Sequence, residues 1–171
     1  MHTTRNTLPI EALTAEAFRP YGDVIEARDT AHHFTINDGF AERYHDLARI
    51  DTAAEGGRPL VSLFRAVPRT FPMPITTMER HPLGSQAFVA LSPVPFLVLV
   101  AAAGAAPGPQ AIRCFLAQPG QGVNYARGTW HHPLLALDAP TDFLVIDRGG
   151  PAEPANCDVI VLEEGALWLV R

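Results

Sequence analysis

The sequence predicts an all-β barrel or sandwich with one short helix near its start, and three observations carry that expectation. Short apolar or alternating segments recur along the 171 residues, sixteen prolines lie mostly between them, and helical signals gather only around Thr14 to Pro20. Proline fixes one backbone torsion and lacks an N–H, so it suits turns and sheet edges. Recurring short strands bounded by turn residues belong to sandwiches and barrels.

Taken in order, Thr14 can cap a helical turn through Ala15, Glu16, Ala17 and Phe18, which Pro20 stops. Strands are then expected at Val24–Glu26, His33–Ile36, Leu60–Val67, Ile75–Arg80, Gln86–Leu91, Phe96–Val100 and Ile112–Leu116. Four more follow at Val123–Tyr125, Pro133–Leu137, Phe143–Ile146 and Val159–Leu162. Ala101 to Pro109 reads as a loop, and the absence of repeats or low-complexity tracts favours one domain over residues 1–171.

Composition narrows the function. Apolar residues make up 47% and charged residues 18%, an ordinary globular balance. A net charge of −5 with no basic stripe argues against nucleic acid. The most apolar run, Val94 to Ala103, is about half a membrane span and reads as a buried strand, so no membrane partner is expected. Met1 to Ile10 lacks the apolar run of a signal peptide, and Cys114 and Cys157 stand apart, so a cytoplasmic protein with reduced thiols is expected.

Two runs concentrate polar chemistry. In Met78-Glu79-Arg80-His81-Pro82-Leu83-Gly84-Ser85-Gln86, Glu79 and His81 share one face of a strand, and Gln86 arrives on the next strand after a turn. The second run, Pro119 to Pro133, ends in Gly128-Thr129-Trp130-His131-His132-Pro133. Together they resemble the two motifs of the cupin superfamily, which implies a double-stranded β-helix, or jelly-roll barrel. Laid on this chain, the four metal-ligand positions of cupins become Glu79, His81, Gln86 and His131. Two of them have changed type, yet Glu and Gln oxygens still ligate divalent ions.

Longer strings resemble ureidoglycolate lyases over nearly the whole chain. They include Tyr21-Gly22-Asp23-Val24-Ile25-Glu26, Asn37-Asp38-Gly39, Glu42-Arg43-Tyr44-His45-Asp46-Leu47 and Glu79-Arg80-His81-Pro82-Leu83-Gly84. Gly122-Val123-Asn124-Tyr125, Trp130-His131-His132-Pro133-Leu134, Ile146-Asp147-Arg148-Gly149-Gly150 and Asn156-Cys157-Asp158 extend the match. The resemblance implies cleavage of ureidoglycolate to glyoxylate and urea in allantoin and purine nitrogen catabolism, by a homodimer. No cofactor is obligatory on this reading; a divalent ion such as nickel or manganese, if bound, is expected to be an exchangeable activator, because the Glu79, His81, Gln86 and His131 set is oxygen-rich. The rival readings are another metal-dependent cupin enzyme, or a cupin that binds a small acid without turnover.

The chemistry assigns roles to residues. Ureidoglycolate carries a carboxylate, a hydroxyl and a urea nitrogen on one carbon; its cleavage moves a proton off oxygen and one onto nitrogen, so it needs a base, an acid and a carboxylate anchor. His81 and His131 suit the proton transfers, with Glu79 as an alternative base. For the carboxylate, Arg65 is the first choice because it interrupts an apolar strand, Val61 to Val67, where a charge needs a partner, either the substrate or a buried carboxylate such as Glu79. Arg43 and Arg148 are the other arginines; Glu42 to Asp46 also fits a solvated face or a lid, and Asp147 to Gly150 a simple turn. Gln86 either lines the pocket or bridges strands, and Tyr125 offers packing or a hydroxyl. His132, next to His131 on an extended chain, is expected to face the other way, toward packing or the pocket rim.

Overall fold

The computed structural model describes residues 6–171, so the reading of Met1 to Ile10 rests in part on residues outside the described ones. The first half of the chain contributes β1 (Ile10–Ala12), α1 (Ala15–Phe18), β2 (Gly22–Ile25), β3 (His33–Ile36), β4 (Ala41–Tyr44), β5 (Arg58–Ala66), β6 (Met73–Pro74), β7 (Thr77–Arg80) and β8 (Gln86–Ala90). The second half contributes β9 (Phe96–Ala101), β10 (Arg113–Ala117), β11 (Gly122–Tyr125), β12 (Trp130–His131), β13 (Leu135–Ala136), β14 (Thr141–Gly149), β15 (Asp158–Val161) and β16 (Trp168–Leu169). The Thr14 hydroxyl accepts from the Ala17 N–H at 3.1 Å, which caps α1 as expected, and α1 is the only α-helix among the described residues.

The fold is the expected all-β cupin jelly roll. One sheet runs β1-β10-β9-β12-β7-β15, with β13 also on β9; the other runs β2-β11-β8-β14-β5. Phe18, Val24, Phe88, Phe96, Val98, Val100, Phe115, Val123, Phe143 and Val145 are buried together between the two sheets. The alternate residues of β9, Leu97, Leu99 and Ala101, bury on the other side of their sheet with Met78, Trp130, Leu135, Leu167 and Leu169. Burial on both faces explains why β9 is continuously apolar rather than alternating. Cys114 lies in this outer layer, where burial pushes its thiol up to about 12.

Close backbone approach sets one glycine. Gly22 has φ +148°, and a Cβ there would collide with the Asn124 carbonyl on the paired strand β11. The Tyr21-Gly22-Asp23 run is thereby tied to β11.

The structure corrects the reading of β5. It is the edge of its sheet, paired only with β14, and Val61 (72%) and Leu63 (65%) are exposed. Phe64 turns inward to meet the Phe88 ring at 6.0 Å, while Arg65 alternates outward. The apolar run therefore marks an open edge, not a strand buried on both faces. Strands β1, β4, β6, β12 and β16 were not anticipated. Four of them span only two or three residues, and β4 (Ala-Glu-Arg-Tyr) carries too little apolar character to signal a strand.

Candidate active site

Between the sheets the side chains change character along each strand. On β14, Phe143 and Val145 face the core, and Asp147 is the next residue on that face. On β8, Phe88 does so and Gln86 follows; on β11, Val123 is followed by Tyr125. Gln86 is register partner of Tyr125, and extending the β8–β14 ladder by one position sets Gln86 opposite Asp147. From the other sheet, Glu79 on β7 and His131 on β12 are paired directly. Polar groups from five strands thus converge at one end of the barrel.

They border a cavity of about 280 Å³ whose wall includes Glu79, Gln86, Phe88, Tyr125, His131 and His132. The volume suits a small metabolite. One donor atom each from Glu79, His81 and His131 lies within 4.8 Å of the others. The His131 ring is stacked on Tyr125, centroids 4.2 Å apart, and sits 5.2 Å from the His81 ring.

The hydrogen bonds behind these rings decide which nitrogen of each is left free. His81 Nδ1 donates to the Asn156 carbonyl at 2.7 Å, and His131 Nδ1 donates to the Thr129 carbonyl at 3.0 Å. Donation fixes the Nδ1–H tautomer of each neutral ring and leaves Nε2 with a bare lone pair. Both Nε2 atoms, together with Gln86 Oε1, are buried and have no hydrogen-bond partner. Glu79 Oε1 is 3.6 Å from His131 Nε2, and this neighbour, opposed by desolvation, holds the Glu79 carboxyl below its usual range. The donor atoms of Glu79, His81 and His131, with Gln86 on the same cavity wall as Glu79 and His131, are the makings of a divalent-cation site, and the backbone carbonyls behind the two histidines are the usual support of metal-bound imidazoles. The residues present fit such an ion.

His132 lies at the cavity rim, one of the two places expected of it. Strand β12 ends at His131, the His132 N–H still donates to the Leu99 carbonyl of β9 at 3.0 Å, and both residues border the cavity. His132 Nδ1 donates to the Pro133 carbonyl at 2.7 Å; burial, aided by the Arg69 charge, lowers its pKa and favours the neutral ring.

The three arginines selected from sequence take other places. Arg65 lies at the cavity rim, but its guanidinium forks onto Asp142 at 2.7 and 2.9 Å with its side chain 75% exposed, so its partner is a surface carboxylate and not Glu79. Arg148 is buried and donates to the carbonyls of Ala54, Glu55 and Pro151, pinning loops behind the barrel end, away from the cavity. Arg43 is on the β3–β4 hairpin, over the Phe34 ring at 5.9 Å, and is likewise outside the cavity wall. Sequence reasoning missed Arg69, an exposed residue of the cavity wall whose guanidinium has no carboxylate or carbonyl partner among the described residues. It sits in a loop outside any motif, so no pattern marked it. Asn156 was quoted only as part of a string; its carbonyl orients His81, and its Oδ1 accepts from the Leu83 N–H at 2.8 Å.

Comparison with known proteins adds independent information. The family model for ureidoglycolate lyase matches residues 5–169. A ureidoglycolate lyase of Burkholderia cepacia is 60% identical over 156 residues, covering 91% of this chain and 86% of the relative. Others, from Burkholderia mallei (strain NCTC 10229) and Pseudomonas syringae pv. tomato, are 56% and 49% identical, covering 88% and 92% of this chain and 87% and 91% of their own.

Proposed function

The chain belongs to the ureidoglycolate lyase family, and from that membership we propose that it cleaves ureidoglycolate to glyoxylate and urea as a carbon–nitrogen lyase. The observation that carries the reading is the cluster of Glu79, His81 and His131, whose donor atoms lie within 4.8 Å of one another and of which Glu79 and His131 line a small cavity.

The substrate's needs map onto this chain as follows. The unpaired Arg69 guanidinium anchors the carboxylate, in place of Arg65, which Asp142 already occupies. An unprotonated imidazole takes the hydroxyl proton; as the carbonyl of glyoxylate forms, the C–N bond breaks, and the same proton passes to the departing nitrogen to complete urea. Atoms and charge balance without oxidant or added water. His131 suits this transfer: Glu79 stabilises the transient imidazolium, and the Tyr125 ring fixes the plane of the imidazole.

Glu79, His81, Gln86 and His131 would also hold a divalent ion such as nickel or manganese, which when bound supplies Lewis-acid polarisation of a substrate oxygen. With those lone pairs engaged, His132, kept neutral by burial, is the imidazole left to move the proton. Chelation followed by return of the ion separates the two situations: loss and recovery of rate favours the ion, and full activity in metal-free protein makes the four residues substrate contacts.

A cytoplasmic setting and a single domain spanning the chain complete the reading. Among the described residues no helix is long and apolar enough to cross a membrane. A homodimer is supported by the open edge of β5, where a second copy would cover Val61 and Leu63. Light scattering at micromolar concentration tests the dimer. For the reaction, purified protein given ureidoglycolate should release urea and glyoxylate in equal amounts; stoichiometric ammonia would reject the lyase.

A further inference from the structure

Gln86 Nε2 donates to Asp147 Oδ2 at 3.2 Å, and this contact has a directional consequence. An ionised carboxylate accepts hydrogen bonds and cannot donate them. Facing Asp147, the Gln86 amide must therefore present its NH2 side; the reverse orientation would set the amide oxygen against a carboxylate oxygen. With Nε2 committed, Oε1 is the end left over. It is buried and without a partner, on a residue that is only 6% exposed and lines the same cavity as Glu79 and His131.

We propose that Asp147 is a positioning residue that locks the Gln86 amide so that its carbonyl oxygen, and not its NH2, faces the site. The inference rests on the lyase reading for what that oxygen serves, but not for its orientation. A carbonyl oxygen aimed into the cavity is an electron-pair donor; it takes either a divalent cation or the N–H groups of the substrate's ureido end. An NH2 in its place would repel both. The two residues are adjacent across the β8–β14 ladder, so the lock is built into strand register and not into a mobile loop.

The isosteric variant Asp147→Asn keeps shape and volume but removes the acceptor-only character, because an amide facing an amide satisfies either orientation. A merely space-filling role would not register the change. Three measurements are made on folded protein: the side-chain amide resonances of Gln86 by NMR, binding of Mn²⁺ to metal-free protein by calorimetry, and kcat and KM for ureidoglycolate. Asp147→Asn should shift the Gln86 amide protons and weaken Mn²⁺ binding or raise KM by about tenfold, the scale of one hydrogen bond to a charged group. Weaker Mn²⁺ binding assigns the oxygen to the cation, and a raised KM with unchanged Mn²⁺ binding assigns it to the ureido end.

In a Gln86→Ala background, Asp147→Asn should add nothing further, since its effect passes through Gln86. The double variant Gln86→Glu with Asp147→Asn reverses donor and acceptor while returning an oxygen to the site, and should recover most of what Asp147→Asn loses. Gln86 amide resonances indifferent to Asp147→Asn would overturn the proposal. So would a loss of equal size in the Gln86→Ala background. If the wild type releases no urea, the lyase reading fails while the NMR measurement still decides the lock.

Discussion

The two ends of this barrel are built from the same strands and behave oppositely. At the closed end Phe96, Phe143 and Val145 are buried in one apolar cluster, with the Phe96 and Phe143 rings edge to face at 5.1 Å. At the open end, on the same faces of β8, β11 and β14, Gln86, Tyr125 and Asp147 replace the apolar residues, and buried polar atoms go unmatched. The closed end obtains its stability from contact that needs no direction. The open end holds directed lone pairs at a cost that the closed end must offset.

The sharpest way to break this comparison is to truncate one residue at each end. His131→Ala should reduce kcat by about 10²- to 10⁴-fold, the usual range for a lost proton-transfer group, while circular dichroism shows a folded protein. Phe143→Ala should do the reverse. It opens a cavity in a fully buried position and should cost about 3–5 kcal/mol of stability in denaturant melts, with kcat of the folded fraction near wild type. Equal loss of rate from both would mean that the two ends are not separable.

His132→Ala sharpens the open end itself. Since His132 lines the cavity beside His131, its loss should cost about tenfold or more in kcat when a divalent ion is bound, below the effect of His131→Ala. An unchanged rate at saturating Mn²⁺ would return His132 to the packing role that strand alternation had suggested.

How much of this was legible in the sequence follows from the same contrast. Strand pattern and turn residues announced the fold, because packing faces repeat every second residue and prolines mark the breaks. Glu79, His81, Gln86 and His131 were legible because each motif's spacing carries the chain by a tight turn from one sheet to the other at the same end of the barrel. What strand pattern could not show was where regular pleating stops. His132 lies one residue beyond β12 and borders the cavity, at the rim that was one of its two expected places. Nor could an apolar run tell an open edge from a strand buried on both faces: β5 and β9 look alike as strings, and only the pairing partners separate them. Arg65 was chosen on the assumption that β5 was buried, and Arg69 was passed over because a loop arginine carries no pattern.

That last pair gives the smallest expected effects and a clean test of what an arginine at the cavity mouth does. Arg65 and Arg69 are four residues apart and both touch the rim, yet Arg65 is held by Asp142 whereas Arg69 is unpaired among the described residues. A guanidinium already forked onto a carboxylate must surrender that partner before it can bind another; an unpaired one surrenders only water. Arg69→Ala should therefore raise KM for ureidoglycolate by about tenfold with kcat little changed, as expected when an interaction common to substrate and transition state is removed. Arg65→Ala should leave both constants within about twofold, because an exposed ion pair contributes little and its charge does not reach the substrate. Asp142→Ala refines the contrast: it frees Arg65 at the rim, and a lowered KM would show that the Asp142 carboxylate competes with the substrate for that guanidinium. If Arg65→Ala instead raises KM as strongly as Arg69→Ala, the Asp142 pair must open when substrate arrives, and the carboxylate anchor is a two-arginine clamp assembled on binding.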